Sequence, residues 1–307
     1  MPEQSETYTD RPLRFFIPSR DARGRVVRLD KVLTEILSAH RYPPQVERTL
    51  AEALVLTALL GSSLKDADGQ LTMQAQTEAG AISLLVCDYK DGALRGYAQF
   101  DTDRIAALPQ DATLFALFGK GYLAITFDRE KKTSNDKGRY QGIVPLEGNS
   151  LSDAAEHYFA QSEQLPTLIR VRIDSTDREA SIAGGIVLQH LSEGEEGRER
   201  LHVRPGHPEW EHVVALAGSI TGAELTDRDL PLEEIIWRLF HEEDEVRIEE
   251  GGGLKKGCRC DEGHIRDVIS RFSASEREEM ADSSGKIAVN CEFCSRSFPI
   301  GLNSLND

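Results

Sequence analysis

Two pairs of closely spaced cysteines near the C-terminus constrain the fold of this chain more than any other feature. The first pair is Cys258-Arg259-Cys260 and the second is Cys291-Glu292-Phe293-Cys294, with the thirty residues 261–290 between them. Each pair can present two sulfurs from one turn, and a tetrathiolate zinc site needs two such pairs brought together. The sequence therefore predicts that residues 261–290 fold back and that all four cysteines bind one zinc ion.

The predicted zinc module is small for a folded unit. It extends from about Gly251 to Asp307, and units below about 70 residues gain only a few kcal/mol from burying apolar side chains. Thiolate-bound zinc contributes roughly 10–16 kcal/mol of apparent stability in small metal-binding peptides. We therefore expect this module to fold only with its metal.

The same thiolates are nucleophiles that peroxide or hypochlorous acid can oxidise, and a disulfide can no longer bind zinc. Within each pair the sulfurs are close enough to bond to one another. The small ring of a C-x-C disulfide should be strained and easily reduced, which suits a reversible switch. A passive structural zinc site remains an alternative at this point. Disulfide catalysis by the C-x-x-C pair is a further alternative, although no strand–C-x-x-C–helix pattern surrounds Cys291.

Two other side chains with metal-binding or redox potential have simpler interpretations. His264 follows the first cysteine pair and could replace one thiolate, but four cysteines already complete a zinc site. Cys87 lies in an apolar run, and free cysteines in such runs are usually buried and inert. We therefore expect neither residue to be a zinc ligand.

Composition limits the classes of partner. The chain has 39% hydrophobic residues, enough for a core, and 52 acidic against 36 basic residues give it a net charge of −16. Nucleic-acid affinity depends on Lys and Arg, so this balance argues against a nucleic-acid partner. No apolar run is long enough for a membrane span, and residues 1–16 lack the pattern of a signal peptide. With five cysteines, an odd number, we expect a cytoplasmic protein that contacts no membrane.

The chain before the cysteine module mixes strands and helices without regular alternation, which predicts an α+β fold. Apolar periodicity predicts helices over 29–39 and 44–60. Alternation over 71–75 and an apolar run over 82–87 predict strands, joined to a further strand at 96–100 by a hairpin. We expect a mainly antiparallel sheet in this part of the chain.

The sequence divides into three predicted parts. Residues 1–190 form the α+β core domain, 191–250 a helical linker region and 251–307 the zinc module. In the linker, Pro231 begins a helix with an apolar face over Leu232–Phe240. This region is too short to bury that face alone, so it must pack on the core, on the module or on a partner. Gly251–Gly253 is expected to be a flexible hinge.

Several segments outside the cysteine pairs extend the pattern. They are Gly142–Leu146, Tyr158-Phe159, Ser162–Thr167, Ala183–Gly185 with Gln189, and Trp237–Glu243. Together with the spacing of the four cysteines, and in this order, they resemble the family of 33-kDa redox-regulated heat-shock chaperones of the bacterial cytosol. One departure is Asp261, which follows the first pair where the family often has Ser.

The resemblance implies an ATP-independent holdase chaperone and no enzymatic activity. It implies zinc bound by Cys258, Cys260, Cys291 and Cys294 in the reduced state. On oxidation, it implies Cys258–Cys260 and Cys291–Cys294 disulfides, zinc release and exposure of the Leu232–Phe240 face to unfolding client proteins. The family also dimerises on activation and passes clients to ATP-dependent foldases, so we expect these partners too.

Two other functions remain possible from the sequence. The first is a zinc adaptor for nucleic acid that uses a local basic cluster of Lys255, Lys256, Arg259, Arg266 and Arg271. The second is a hydrolase or transferase with a structural zinc tail. Against the second, the chain has no Gly-x-Ser-x-Gly elbow, no Walker loop and no His-Glu-x-x-His motif.

Overall fold

The computed structural model describes residues 8–64, 69–128, 138–175, 181–191 and 206–305. The strands are β1 (Leu13–Ile17), β2 (Ala22–Leu29), β3 (Gln70–Thr77), β4 (Ile82–Lys90), β5 (Ala93–Phe100), β6 (Gly121–Asp128), β7 (Arg139–Pro145), β8 (Thr167–Asp174), β9 (Ile182–His190), β10 (Arg247–Glu250), β11 (Lys255–Lys256), β12 (Lys286–Asn290) and β13 (Ser297–Gly301). The helices are α1 (Lys31–Leu37), α2 (Pro44–Gly61), α3 (Thr102–Ala106), α4 (Leu114–Phe118), α5 (Leu151–Tyr158), α6 (Pro208–Ala217), α7 (Gly222–Thr226), α8 (Leu232–Phe240), α9 (Glu262–Ser270) and α10 (Ala274–Met280).

The strands form three sheets. One has five strands in the order β10-β1-β2-β9-β8, a second has six in the order β11-β5-β4-β3-β6-β7, and β12 and β13 form a separate hairpin. The strand pairs are antiparallel except for β11 with β5, which is parallel. This architecture confirms the predicted α+β fold with mainly antiparallel sheets.

Helix α2 lies between the two large sheets and is buried along nearly its whole length. Its Val55 packs against Gly185 of β9, and a Cβ added at Gly185 would lie 2.6 Å from Val55 Cγ1. In the other direction Leu50 and Leu54 pack against Gly96 of β5. The two glycines therefore let both sheets approach one helix closely, and the main apolar core forms around that helix.

Some strands are not apparent in the sequence. Every residue of β9 is buried, so the strand lacks the alternation of a half-exposed strand. Strand β2 contains the buried residues Arg25 and Arg28, which interrupt its apolar pattern. The helix predicted over 29–39 begins only at Lys31, because Leu29 is the last residue of β2. The predicted helix from Pro44 and the 91–92 hairpin are confirmed.

The apolar face of α8 packs on the five-stranded sheet. Ile235, Ile236 and Phe240 are buried there with the strand residues Phe15 and Val26. The rings of Phe15 and Phe240 lie 5.7 Å apart between centroids. Of the three predicted ways to bury this face, the structure therefore has the first, packing on the core.

Arg28 of β2 connects α7 and the loop after it to the same sheet. Its guanidinium is fully buried and donates to the backbone carbonyls of Leu225 at 3.0 Å, Leu230 at 2.7 Å and Glu224 at 2.9 Å. Burial lowers the pKa of Arg28 to about 10, which still leaves it charged at neutral pH. One side chain thus satisfies three carbonyls that would otherwise be buried without a donor.

Replacing Arg28 should loosen the linker. We expect Arg28→Met to destabilise it by about 3 kcal/mol, because the three carbonyls lose their donors. Both tryptophans, Trp210 in α6 and Trp237 in α8, lie in this region, so urea unfolding followed by tryptophan fluorescence measures it. The control is Arg228→Met, which removes an exposed ion pair with Asp30 and should cost less than about 1 kcal/mol. Equal losses for the two variants would contradict this role of Arg28.

Candidate metal centre

The second cysteine pair lies in the turn of the β12–β13 hairpin. Cys291 follows β12, and its backbone N–H donates to the Arg296 carbonyl at 2.9 Å. Its own carbonyl accepts from the N–H groups of Cys294 at 3.3 Å and Ser295 at 2.8 Å. Ser295 has a positive φ of 55°, which lets the chain turn back into β13. The turn holds both sulfurs on one side of the hairpin.

The first pair lies between β11 and α9. The Asp261 side chain accepts from the His264 N–H at 2.8 Å and so caps α9 directly after Cys260. Ser and Asp are both favourable at such a position, so the departure from the family at Asp261 keeps the helix cap. His264 takes part through its backbone and is not part of the cysteine group.

The structure brings all four predicted ligands together. The four Sγ atoms lie within 4.8 Å of one another, with 3.5 Å between Cys258 and Cys291 and 3.6 Å between Cys260 and Cys294. A tetrahedral site with Zn–S bonds of 2.3 Å has sulfurs about 3.8 Å apart. The group could therefore hold a metal ion, and its four soft donors suit zinc. Among the described residues it is the one group of at least three His, Cys, Asp or Glu side chains with such spacing.

Three of the thiols have pKa values that depart from the ordinary value. Burial tends to raise the pKa of Cys258, but hydrogen bonds from the Cys260 backbone N–H and from the neighbouring thiols outweigh it and lower that pKa to about 7. Burial, with the hydrogen bond and charge of Cys258, raises the pKa of Cys260 to about 12. Burial also raises the pKa of Cys291. The Cys258 thiolate therefore forms near neutral pH, whereas a thiolate at Cys260 or Cys291 needs a nearby cation to form at that pH.

Cys87 is separate from this chemistry. Its side chain is fully buried in the main core, and burial raises the pKa of its thiol well above the ordinary value. A buried, protonated thiol is neither a good nucleophile nor a metal ligand. This agrees with the interpretation of Cys87 as a core residue.

The module around the four sulfurs has a small apolar core. Its buried apolar residues are Ile269, Ile287, Phe298, Ile300 and Leu305, with Cys260 and Cys291 partly buried beside them. The cysteines therefore lie at the edge of this core, where the two halves of the module meet. A metal bound there would cross-link the turn of the hairpin to the segment before α9.

The module contacts the six-stranded sheet through residues placed between its cysteines. Arg259 donates to Asp88 Oδ2 on β4 at 2.8 Å. The Phe293 ring lies edge-on to Tyr97 of β5 with 4.7 Å between centroids, and the Arg95 guanidinium lies 3.9 Å from the Phe293 ring centroid. The sequence does not predict these contacts, because the spacing of the cysteines carries no information about the surface they face.

The segment before the first cysteine pair is also fastened to the core. Gly251 donates its N–H to Pro12 at 2.8 Å, Leu254 donates to Asp10 at 2.7 Å, and the Leu254 side chain is buried in the main core. Strand β11 then pairs with β5, and Gly257 donates to the Leu94 carbonyl at 2.8 Å. The predicted hinge is therefore held at both ends, with Gly252 and Gly253 exposed between them.

Three of the five residues in the local basic cluster have acidic or carbonyl partners. Arg259 is paired with Asp88, Arg266 with Glu262 at 2.8 Å, and Lys256 Nζ donates to the Glu35 carbonyl at 2.7 Å. Cations engaged in this way are poorly placed to contact phosphates, which weakens the nucleic-acid alternative. None of the described helices combines the length and apolar character that crossing a bilayer requires.

Comparisons with known proteins agree with this arrangement. The profile of the Hsp33 protein family matches residues 10–300. The chain belongs to the Hsp33 family. A Caulobacter vibrioides 33 kDa chaperonin is 40% identical over 93% of each chain, and one from Shewanella loihica is 34% identical over 93% of this chain and 90% of the relative. The crystal structure of a Thermotoga maritima 33 kDa chaperonin, 19% identical, covers 96% of each chain with a TM-score of 0.76 and so shares the Hsp33 fold.

Removing one predicted ligand should abolish metal binding and unfold the module. We expect zinc-loaded Cys291→Ser protein to retain less than about a tenth of the zinc of the unmodified chain, because a hydroxyl is a poor zinc ligand. Without that cross-link, residues 258–305 should become sensitive to trypsin, since the small core cannot hold them.

The matched control for this experiment is Cys87→Ala. It removes a cysteine that is buried in the main core, on the face of the sheet that packs against α2, and should keep both the zinc and the protease resistance of the module. Zinc content is measured by metal analysis after gel filtration. A Cys291→Ser protein that lacks zinc and still resists trypsin would contradict the metal-dependent fold.

Proposed function

We propose that this chain is a redox-regulated, ATP-independent chaperone that binds unfolding proteins and catalyses no reaction. Membership of the Hsp33 family, with relatives named 33 kDa chaperonins, supports the chaperone part. The observation that carries the redox part is that four thiols meet between the hairpin turn and the segment before α9, in a module with a small apolar core. Chemistry at those sulfurs would decide whether the module is folded.

In the reduced state, Cys258, Cys260, Cys291 and Cys294 would hold one zinc ion as thiolates. Bound zinc supplies a cross-link between the two cysteine pairs. The folded module then keeps Arg259 on Asp88 and Phe293 on Tyr97. In this state the linker helices stay packed on the five-stranded sheet.

Hydrogen peroxide is the oxidant in the proposed activation. One thiolate attacks a peroxide oxygen, the O–O bond breaks and hydroxide leaves, which gives a sulfenic acid. The second thiol of the pair attacks that sulfur, the S–S bond forms and water leaves. Each disulfide thus passes two electrons to one peroxide. The oxidised pairs can no longer bind zinc.

The proposed disulfides are Cys258–Cys260 and Cys291–Cys294, as the family resemblance implies. In the folded site the close sulfur contacts of Cys258 with Cys291 and of Cys260 with Cys294 join different pairs, so proximity alone does not select these partners. Sequence separation favours them once the module opens. Partners 33 or 34 residues apart cost about 2 kcal/mol more in loop closure than partners within one pair.

Loss of the module would then reach the linker through two strands. Strand β10 pairs with β1, and β1 carries Phe15, which packs against Phe240 of α8. Strand β11, next along the chain, pairs with only two residues of β5. Unfolding of the module would weaken both pairings and, through β1, the packing of α8, which would expose the apolar face of α8 to unfolding clients. We further propose a cytoplasmic location, dimerisation on activation and transfer of clients to ATP-dependent foldases.

Oxidation should switch on the chaperone activity. We expect the reduced, zinc-loaded protein to leave aggregation of a heat-denatured client nearly unchanged, whereas peroxide treatment at elevated temperature should suppress it. Light scattering measures aggregation, and a chromogenic chelator measures zinc release in the same sample. Dithiothreitol should restore the inactive state when zinc is present. Equal suppression of client aggregation before and after oxidation would contradict the redox switch and indicate a constitutive holdase with a passive structural zinc site.

Weakening the packing of α8 should bypass the need for oxidation. Phe240 is fully buried, and Phe240→Ala should cost about 3–5 kcal/mol. We expect this variant to suppress aggregation while still reduced and zinc-loaded. Trp237→Ala is the matched control, because Trp237 is on the same helix and 60% exposed. If the reduced Phe240→Ala protein is as inactive as the control, exposure of the α8 face is not the step that activates the chaperone.

A further inference from the structure

The contact between the module and the six-stranded sheet contains a binding site for one aromatic ring. Tyr97 meets the edge of the Phe293 ring at an interplanar angle of 77°, and Arg95 lies over that ring. Val86 on β4 is the cross-strand neighbour of Tyr97 and shares its face of the sheet. We call Val86, Arg95 and Tyr97 the aromatic slot. These three residues belong to the core domain, and the module supplies the ring that lies against Tyr97 and Arg95.

The slot is held in shape without the module. Asp88 Oδ2 accepts from Arg95 Nε at 2.8 Å and Nη2 at 2.5 Å, and Asp88 Oδ1 accepts from Thr72 Oγ1 at 2.7 Å. The Asp88 side chain is 5% exposed. These partners belong to β3, β4 and β5, so Arg95 remains oriented after Arg259 leaves. A site with its side chains already positioned binds a ring at a lower entropic cost.

One further apolar side chain lies beside the slot. Leu84 and Val86 on β4 are only partly buried and point to the same side of the sheet as Tyr97. The next strand, β3, presents Thr72, Gln74 and Gln76 on this face, so Tyr122 of β6 is separated from the slot by polar side chains. An extended chain whose aromatic side chain enters the slot can therefore also contact Leu84.

We propose that the aromatic slot binds aromatic side chains of unfolded client proteins, and that Phe293 fills it as an internal substitute while the module is folded. This inference rests on the proposed chaperone function and names a client site for it. Edge-to-face contact with Tyr97 and the cation–π contact with Arg95 both favour an aromatic ring over an aliphatic side chain. Native proteins bury most aromatic side chains, whereas unfolding proteins expose them, so the slot selects non-native chains.

Occupation by Phe293 and by a client are mutually exclusive. Phe293 lies between Cys291 and Cys294, inside the turn whose backbone hydrogen bonds aim its ring at Tyr97. Oxidation of this pair and unfolding of the hairpin would break those hydrogen bonds, so the Phe293 ring would no longer be held against Tyr97. The slot therefore becomes available at the same step that opens the module.

A pair of labelled peptides tests the slot directly. The probes are a disordered fluorescein-labelled peptide with two Phe residues and the same peptide with Leu in their place. Fluorescence anisotropy with the oxidised full chain should show several-fold tighter binding of the Phe peptide. Tyr97→Ala should weaken that binding about five-fold. Tyr122→Ala, which removes an exposed tyrosine from the same face, should leave the preference intact.

A second comparison uses the reduced protein. Phe293→Ala with its zinc retained should bind the Phe peptide, whereas the reduced unmodified protein should not. The matched control is Phe272→Ala, which truncates a 38% exposed aromatic side chain elsewhere in the module and should not bind the peptide either. Equal affinity of oxidised Tyr97→Ala and Tyr122→Ala, or equal binding of both peptides, would overturn the slot. If oxidised protein still suppresses client aggregation in that case, the chaperone function stands. An oxidised chain that neither binds peptide nor suppresses aggregation would overturn both.

Discussion

The junction of the two cysteine pairs is the interaction on which, in the mechanism we propose, the C-terminal module depends. The main core surrounds α2, which two large sheets cover, and contains many more buried apolar residues than the core of the module. The sulfurs lie where the cysteine-bearing hairpin turn meets the segment before α9. In the proposed mechanism the stability of the module, unlike that of the main core, would depend on the chemical state of these four atoms.

In the proposed mechanism, the sulfurs that react with oxidant and the side chains that hold the module on the core lie within one or two residues of each other. Arg259 lies between the first two cysteines and Phe293 between the second two, and both side chains touch the core. A change of bonding at the sulfurs alters the backbone that aims these side chains. Coupling between the metal centre and the core surface therefore needs no chain of intermediate residues, in contrast to signals that cross a domain.

The cysteine spacing predicted which thiols meet, because a tetrathiolate site has few possible arrangements. Apolar periodicity predicted α2 and α8, since each is longer than two turns and has a defined boundary at Pro44 or Pro231. It failed at β9, which is buried on both faces, and at β2, where Arg28 is a buried donor to carbonyls of the linker.

The surface that receives Phe293 was also beyond reach from the sequence. Arg95 and Tyr97 are two residues apart on β5 and share one face of the sheet. Their contact with Phe293 joins segments about 200 residues apart in the sequence. Contacts between distant segments leave no periodic signal. The division into core, linker and module remains a prediction, although the structure fastens residues 247–257 to both large sheets.

The burial of Leu254 in the main core has a consequence for recovery after stress. An unfolded module stays tethered a short distance from the sheet it has left, and short flexible tethers give effective concentrations in the millimolar range. In the mechanism we propose, a bound client would compete for the slot with Phe293 of the tethered module as soon as the thiols are reduced. The refolding module would then displace the client, and the rate of return to the resting state would depend on the affinity of each client.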